Sequence, residues 1–223
     1  MKVLVLAGHL DDSILAVGGI LGKVVKSGGQ VDVVCFGHSD EDFDDVAQKD
    51  TVVDRLVSEA EAAHEALGVN SFTCFHYPDY AVQENRETYR LCIESIRKYQ
   101  PDIILAHYWA EYFQHRAMAR LACDSWWQAG WPCSADIGKP WKARALYHFE
   151  VIHPLPEPTD IVDVSGSFEL KIKALECFGS GYSFTEQVEC RARYLGSTIG
   201  VRYAEALRKS SFVPRAVSDI EDL

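Results

Sequence analysis

The strongest constraint on this chain is KVLVLAG at 2–8, a continuous apolar run with no polar alternation, ended by glycine. A strand that is apolar on both sides must be covered on both sides, which is the position of a central strand in a parallel sheet. Further strand patterns follow: VDVVCFG at 31–37, SFTCFHY at 71–77, DIILAH at 102–107 and ARALYHFEVIH at 143–153. Between them the apolar spacing becomes helical, over 14–27, 50–67, 86–99 and 114–128, with Gly28-Gly29 and Gly68 placed as stops for the first two. This strand–helix rhythm predicts parallel strands joined by right-handed crossovers: an α/β, Rossmann-like three-layer fold with a mainly parallel sheet. After the last strand, PLPEPTDIVDVS reads as a loop, and two helices are expected over roughly 166–178 and 185–208. The 223 residues suffice for one such domain, spanning 1–223, and are too few for two.

Composition removes several classes of function. A net charge of −11, with no run of Lys and Arg, argues against nucleic acid as a partner. The same acidity argues against attraction to anionic membranes, and no apolar stretch is long enough to span a bilayer. The opening MKVLVLAGHLDDS is too short in its apolar part for a signal peptide and reads as a first buried strand. Seven cysteines, an odd number without a CxxC pair, read as reduced packing residues of a cytoplasmic protein. The first turn, GHLDDS, lacks GxGxxG, and its two carboxylates would repel a pyrophosphate, which disfavours a dinucleotide.

Ligands of open α/β sheets collect at the carboxyl ends of the strands. Four segments end there in polar groups: His9, Asp11 and Asp12; then His38, Ser39 and Asp40; then Asp79; then His107. Two carboxylates beside a histidine suit a divalent cation, and His115, near the start of the helix after the fourth strand, is the natural third ligand. Three protein ligands leave a position open for water, and the remaining carboxylate can serve as general base. A plainer reading also holds for each residue alone: an aspartate there can cap the following helix, and His9 can be a satisfied, partly buried histidine.

The chain resembles the PIG-L/LmbE deacetylases. In that family the first strand ends in (A/P)HPDDE and a Gly-Gly pair follows; this chain has AGHLDDSILAVGGIL, with Gly18 and Gly19 in place. After the fourth strand the family shows H-x-x-D-x-H-x-D-H-R, where this chain has His107, YWAEYFQ, His115 and Arg116. DVSGSFELKIKALECFGSGY and RARYLGSTIGVRYAEAL extend the likeness over about the whole chain. The resemblance implies that His9, Asp12 and His115 hold Zn2+, that Asp11 is the general base for the attacking water, and that Asp79 holds a sugar hydroxyl. For Asp79 a turn residue after Pro78 is an equal reading. The implied reaction is removal of an acetyl group from an N-acetylglucosamine-type amino-sugar conjugate. Two histidines and one aspartate accept other divalent metals as well.

The departures from the family pattern matter. Leu10 replaces Pro and Ser13 replaces Glu; Tyr112 stands where the family has a catalytic His, and Gln114 where an Asp orients that His. Tyr112 can donate a hydrogen bond to an oxyanion but is a poor proton donor at neutral pH, given a reference pKa of about 10. The family's Arg, three residues before the Glu matched by Glu59, falls on Leu56, with Arg55 one step away as the candidate for substrate binding. His107 is expected to orient the site from behind or to be a polar strand end. These substitutions keep open a different metal-dependent reaction on the same scaffold, such as hydration of an unsaturated dicarboxylate, and a metal-binding relative with altered catalysis. Aromatic residues around Trp109, Tyr112 and Trp126-Trp127 exceed what a core absorbs, which suggests a homo-oligomer interface or stacking on a sugar ring.

Overall fold

The computed structural model describes residues 1–179 and 184–213; part of the FGSGY stretch, at 180–182, lies outside them. Among the described residues seven strands form one sheet: β1 (Lys2–Ala7), β2 (Gln30–Gly37), β3 (Ser71–Tyr77), β4 (Ile103–His107), β5 (Ala145–Phe149), β6 (Asp160–Asp163) and β7 (Ala204–Lys209). Their order is β3-β2-β1-β4-β5-β7-β6, with β1 to β5 parallel to one another. The α/β three-layer architecture expected from the sequence is the one observed.

The apolar run of β1 is explained by its two faces. Val3 and Val5 belong to a core shared with α1 (Asp12–Lys26), α2 (Val52–Leu67) and α5 (Phe168–Glu176). Leu4 and Leu6 belong to the core on the opposite face, beneath α3 (Arg86–Tyr99) and α4 (Phe113–Ala129). Alternate side chains of one strand thus serve two layers, and no polar residue fits between them. Trp126 on α4 is buried, whereas the neighbouring Trp127 is about half exposed, at 48%.

Two expectations fail in the last third of the chain. The helix expected over 185–208 stops early: α6 is Thr185–Ile199, closed by Gly200 at φ 74°. Residues 204–209 then form β7, antiparallel to both β5 and β6. Glycine in the left-handed region ends a helix at little cost, and here that stop outweighs the helical propensity of the Ala, Glu and Leu that follow. PLPEPTDIVDVS is not all loop, since Asp160–Asp163 pairs with β7 as an edge strand. A four-residue edge strand carries too little apolar alternation to be legible in sequence. Among the described residues no helix is long and apolar enough to cross a membrane.

The sheet order places one feature of functional consequence. Strand β1 has β2 on one side and β4 on the other, so the crossovers leave in opposite directions. The crevice outside the carboxyl ends of β1 and β4 is therefore the topological switch point, where open α/β sheets bind ligands.

Candidate metal centre

The loop after β1 is short, and it turns at once into α1. Asp11 occupies the N-cap position, where its side chain makes no capping hydrogen bond of the kind the plainer reading required. Asp12 instead turns back: its Oδ2 accepts from the backbone N–H of Gly8 at 3.1 Å and of His9 at 2.6 Å. From behind, His107 Nε2 lies 3.0 Å from the same oxygen. These contacts fix one oxygen of Asp12 and aim the other, Oδ1, at His115 Nε2, 3.2 Å away. His9 Nδ1 completes the group, 2.9 Å from His115 Nε2 and 3.5 Å from Asp12 Oδ2.

The three residues expected to hold a cation are thus brought together, with one ligand atom from each lying within 4.8 Å of the others. A tetrahedral site with metal–ligand bonds near 2.0–2.1 Å sets its ligand atoms about 3.3 Å apart. The His9–His115 separation of 2.9 Å and the His115–Asp12 Oδ1 separation of 3.2 Å lie near that value. Two imidazole nitrogens facing each other at 2.9 Å require a proton or a cation between them. The donor set and its spacing fit a divalent cation.

The electrostatics agree. Burial acts to raise the Asp12 carboxyl, but the neighbouring His115 and His107 rings outweigh it and hold it well below its ordinary range. Burial acts to lower His115, yet the carboxylates of Asp12 and Glu111 raise it to about 9. His9 is also raised, the Asp12 contact overcoming burial. His107, fully buried, is pushed down to about 4 by burial and by the His115 charge, so it is neutral at pH 7. Its Nε2 stands between the Asp12 carboxylate and the backbone N–H of Gly8, 3.0 Å from each. His107 touches Asp12 from behind and is absent from the described residues that line the cavity.

Outside this cluster opens a cavity of about 380 Å³, lined on the metal side by His9, Asp11, Asp12, Asp79 and Tyr112. The Tyr112 ring lies parallel to His9, with centroids 6.1 Å apart, and edge-on to His115 at 4.6 Å. Burial, then the Asp12 charge, raises its phenol well above the ordinary range, so it keeps its proton and has an O–H to donate. Asp79 stands 3.7 Å from His9 Nε2 through an Oδ1 that is buried and has no hydrogen-bond partner among the described residues. Its other oxygen accepts from the backbone of Glu41, and burial raises its carboxyl. Arg55 is placed elsewhere. It lies on the exposed face of α2, 3.2 Å from Glu59, and is absent from the described residues that line the cavity.

Two substitutions find their explanation. Ser13 Oγ lies 2.8 Å from His64 Nε2, and His64 Nδ1 lies 2.7 Å from the carbonyl of Ala60. Burial holds His64 down to about 4, so it is neutral, donates to Ala60 and accepts from Ser13. Gln114 donates to the carbonyl of Gly8 at 2.8 Å and accepts from Tyr80 N–H, tying the first loop to the loop after β3. A Cβ on Gly37 would stand 2.5 Å from that amide nitrogen and 2.6 Å from Gly8 O, so this crossing requires glycine.

Two groups escaped sequence reasoning. Glu111, buried at 1% exposure, accepts three backbone N–H bonds, from Val151, Ile152 and His153, and faces His115. Its one sequence signal is an acidic residue four positions before a ligand histidine. On the far cavity wall, Glu205 accepts from Gly19 N–H at 2.9 Å, Ile20 N–H at 2.8 Å and Lys171 Nζ at 2.6 Å. Helix α1 is kinked at Val17, and Glu205 caps its continuation.

Fold and site together define an α/β protein with a His–Asp–His candidate cation centre at the carboxyl edge of its sheet. The chain belongs to the PIG-L family, GlcNAc-PI de-N-acetylase, whose model matches residues 4–126. It is 29% identical over 233 positions to diacetylchitobiose deacetylase of Thermococcus kodakarensis, covering 96% of this chain and 83% of that one. Its structure is similar to that of N,N'-diacetylchitobiose deacetylase from Pyrococcus horikoshii, with a TM-score of 0.85, 24% identity, and 99% and 88% of the two chains covered. It is also similar to GalB, the 4-carboxy-2-hydroxymuconate hydratase of Pseudomonas putida KT2440, with a TM-score of 0.81, 23% identity, and 98% and 99% covered. At these identities the two structures speak for the fold.

Proposed function

We propose that the protein removes the acetyl group from an N-acetylated amino sugar with the help of a divalent cation, zinc being the first candidate. The observation that supports this reading is that His9, Asp12 and His115 each bring one ligand atom within 4.8 Å of the others, with Asp11 on the wall of the adjoining cavity. A cation held by these three residues supplies a Lewis acid that polarises an amide carbonyl and makes water a nucleophile near neutral pH. The Asp11 carboxylate accepts the proton of the attacking water and returns it to the departing nitrogen. Tyr112 O–H, kept protonated, donates to the carbonyl oxygen as charge develops on it. Asp79 Oδ1, unpartnered among the described residues and beside His9, is suited to accept from a sugar hydroxyl. A diacetylchitobiose deacetylase among the relatives supports an acetylated sugar as the substrate class.

A second reading has an observation of its own. Tyr112 replaces a histidine that could protonate an amine, and a hydratase is among the structures with this fold. The test is release of acetate and free amine from N-acetylglucosamine and N,N'-diacetylchitobiose by Zn2+-loaded protein, beside hydration of an unsaturated dicarboxylic acid. Stoichiometric acetate and amine, abolished in Asp11→Asn with metal content unchanged, is the expected result. Amine release equal in Asp11→Asn, or absent while the unsaturated acid is hydrated, overturns the deacetylase reading.

A further inference from the structure

Glu111 precedes α4 and is buried between the metal cluster and the segment that follows β5. One oxygen, Oε1, accepts from the backbone N–H groups of Val151, Ile152 and His153 at 2.8, 2.9 and 3.1 Å. The other oxygen, Oε2, faces His115 Nδ1 at 3.5 Å, and both atoms are buried with no hydrogen-bond partner among the described residues. Each is the partner the other needs. Val151 and Ile152 line the cavity, and their carbonyls are gripped from the opposite side by Arg191, at 2.8 and 3.2 Å.

We propose that Glu111 is a positioning residue with two jobs: it sets the His115 ring so that Nε2 presents a lone pair to the cation, and it clamps the 151–153 backbone that walls the substrate cavity. Cation binding and the cavity wall are thereby coupled through one carboxylate. The inference rests on the metal reading given above. A carboxylate behind a ligand histidine accepts its Nδ1–H and leaves the distal nitrogen free to ligate.

Glu111→Gln separates the two jobs. The amide oxygen has to face the three N–H groups, because the NH2 would oppose them. The NH2 then faces His115 Nδ1, demands a lone pair there and drives the ring proton to Nε2, the ligand atom. The experiment measures Zn2+ affinity of metal-free protein by competition with a chromophoric chelator, and hydrogen exchange at residues 151–153. Glu111→Gln is expected to lose about 10- to 100-fold in Zn2+ affinity while keeping amide protection at 151–153, and Glu111→Ala to lose both. Zn2+ should slow exchange at 151–153 in the wild type and not in Glu111→Gln. Wild-type protein that binds Zn2+ while Glu111→Gln binds equally well overturns this proposal alone; wild type that binds no Zn2+ overturns it together with the metal reading. A check that needs no variant is the Zn2+-saturated wild-type proton spectrum. A protected, downfield His115 Nδ1 proton is expected, and one exchanging freely with water refutes the pairing.

Discussion

Truncating Glu205 should unfold much of what it touches, and the size of the effect can be worked from its contacts. Glu205→Ala removes the partner of Lys171, a lysine with 2% of its side chain exposed, and the acceptor for two backbone N–H groups at the α1 kink. An unpaired buried charge costs about 3–5 kcal/mol, and each orphaned amide adds roughly 1 kcal/mol. The groups share one carboxylate, so the terms do not simply add, and a total loss of about 4–6 kcal/mol is expected. For a chain of this size each kcal/mol shifts the melting midpoint by about 2–4 °C, so the drop should be on the order of 10–20 °C. The assay is a double-mutant cycle in urea on metal-free protein: Glu205→Ala, Lys171→Met and the pair together. Because Lys171→Met removes the charge that Glu205→Ala strands, the double variant should recover at least about 2 kcal/mol over additivity. Additivity within about 0.5 kcal/mol, or a Glu205→Ala cost under about 1 kcal/mol, refutes the ion pair as the anchor of this helix.

The other expectations concern the site. His115 raised to about 9 means that Zn2+ displaces a proton, so affinity should rise about tenfold per pH unit up to about pH 9, as titration at several pH values will show. In metal-free protein the same raised value favours the fold fully below about pH 6.5 and is lost as pH climbs through about 9, so the urea midpoint should fall over that window. Tyr112→Phe should lower kcat by about 10²-fold with little change in KM if its O–H meets the oxyanion; an unchanged kcat removes it from the chemistry. Arg55→Ala should leave KM unchanged and cost under about 0.5 kcal/mol, because its contact is a surface pair one helical turn apart with Glu59.

What could be read in advance follows the range of the interactions. The strands β1, β2 and β4 and the placing of His9 and Asp12 at the end of β1 were legible because continuous apolar runs and strand-end polar groups are local patterns, whereas His115, on α4, was marked by the start of the next helix and by the resemblance. The edge strand β6 and the strand β7 were not, because their pairing is fixed by distant chain: Asp160 meets Leu207 and Tyr147 meets Lys209. Ser13 looked like an uncompensated loss until His64, 51 positions away, was found to complete it. Arg55 stands one position before Leu56, which occupies the place of the family's Arg. The helix period turns a one-residue offset by about 100°, enough to move a side chain from the inner face of α2 to its outer one.

The same logic explains why three separate signatures in the sequence prove to be one piece of structure. The Gly-Gly pair, Lys171 and Glu205 meet at a single place. A Cβ on Gly18 would stand 2.9 Å from Lys171 Cγ, and one on Gly19 would stand 2.8 Å from Val164 and 2.9 Å from Glu205 Oε1. Glycine at both positions lets the helix approach a buried ion pair, and that pair caps the helix beyond its kink at Val17. The helix so held is the one whose first turn carries Asp11 and Asp12. A cluster on the far wall of the cavity is therefore joined to the candidate cation site through one helix, without contacting the three candidate ligands. It follows that substitutions at Gly19 or Lys171 should weaken Zn2+ binding in step with their loss of stability, whereas Glu111→Gln should weaken it with the fold left intact. That difference separates residues that hold the scaffold from residues that tune the ligand.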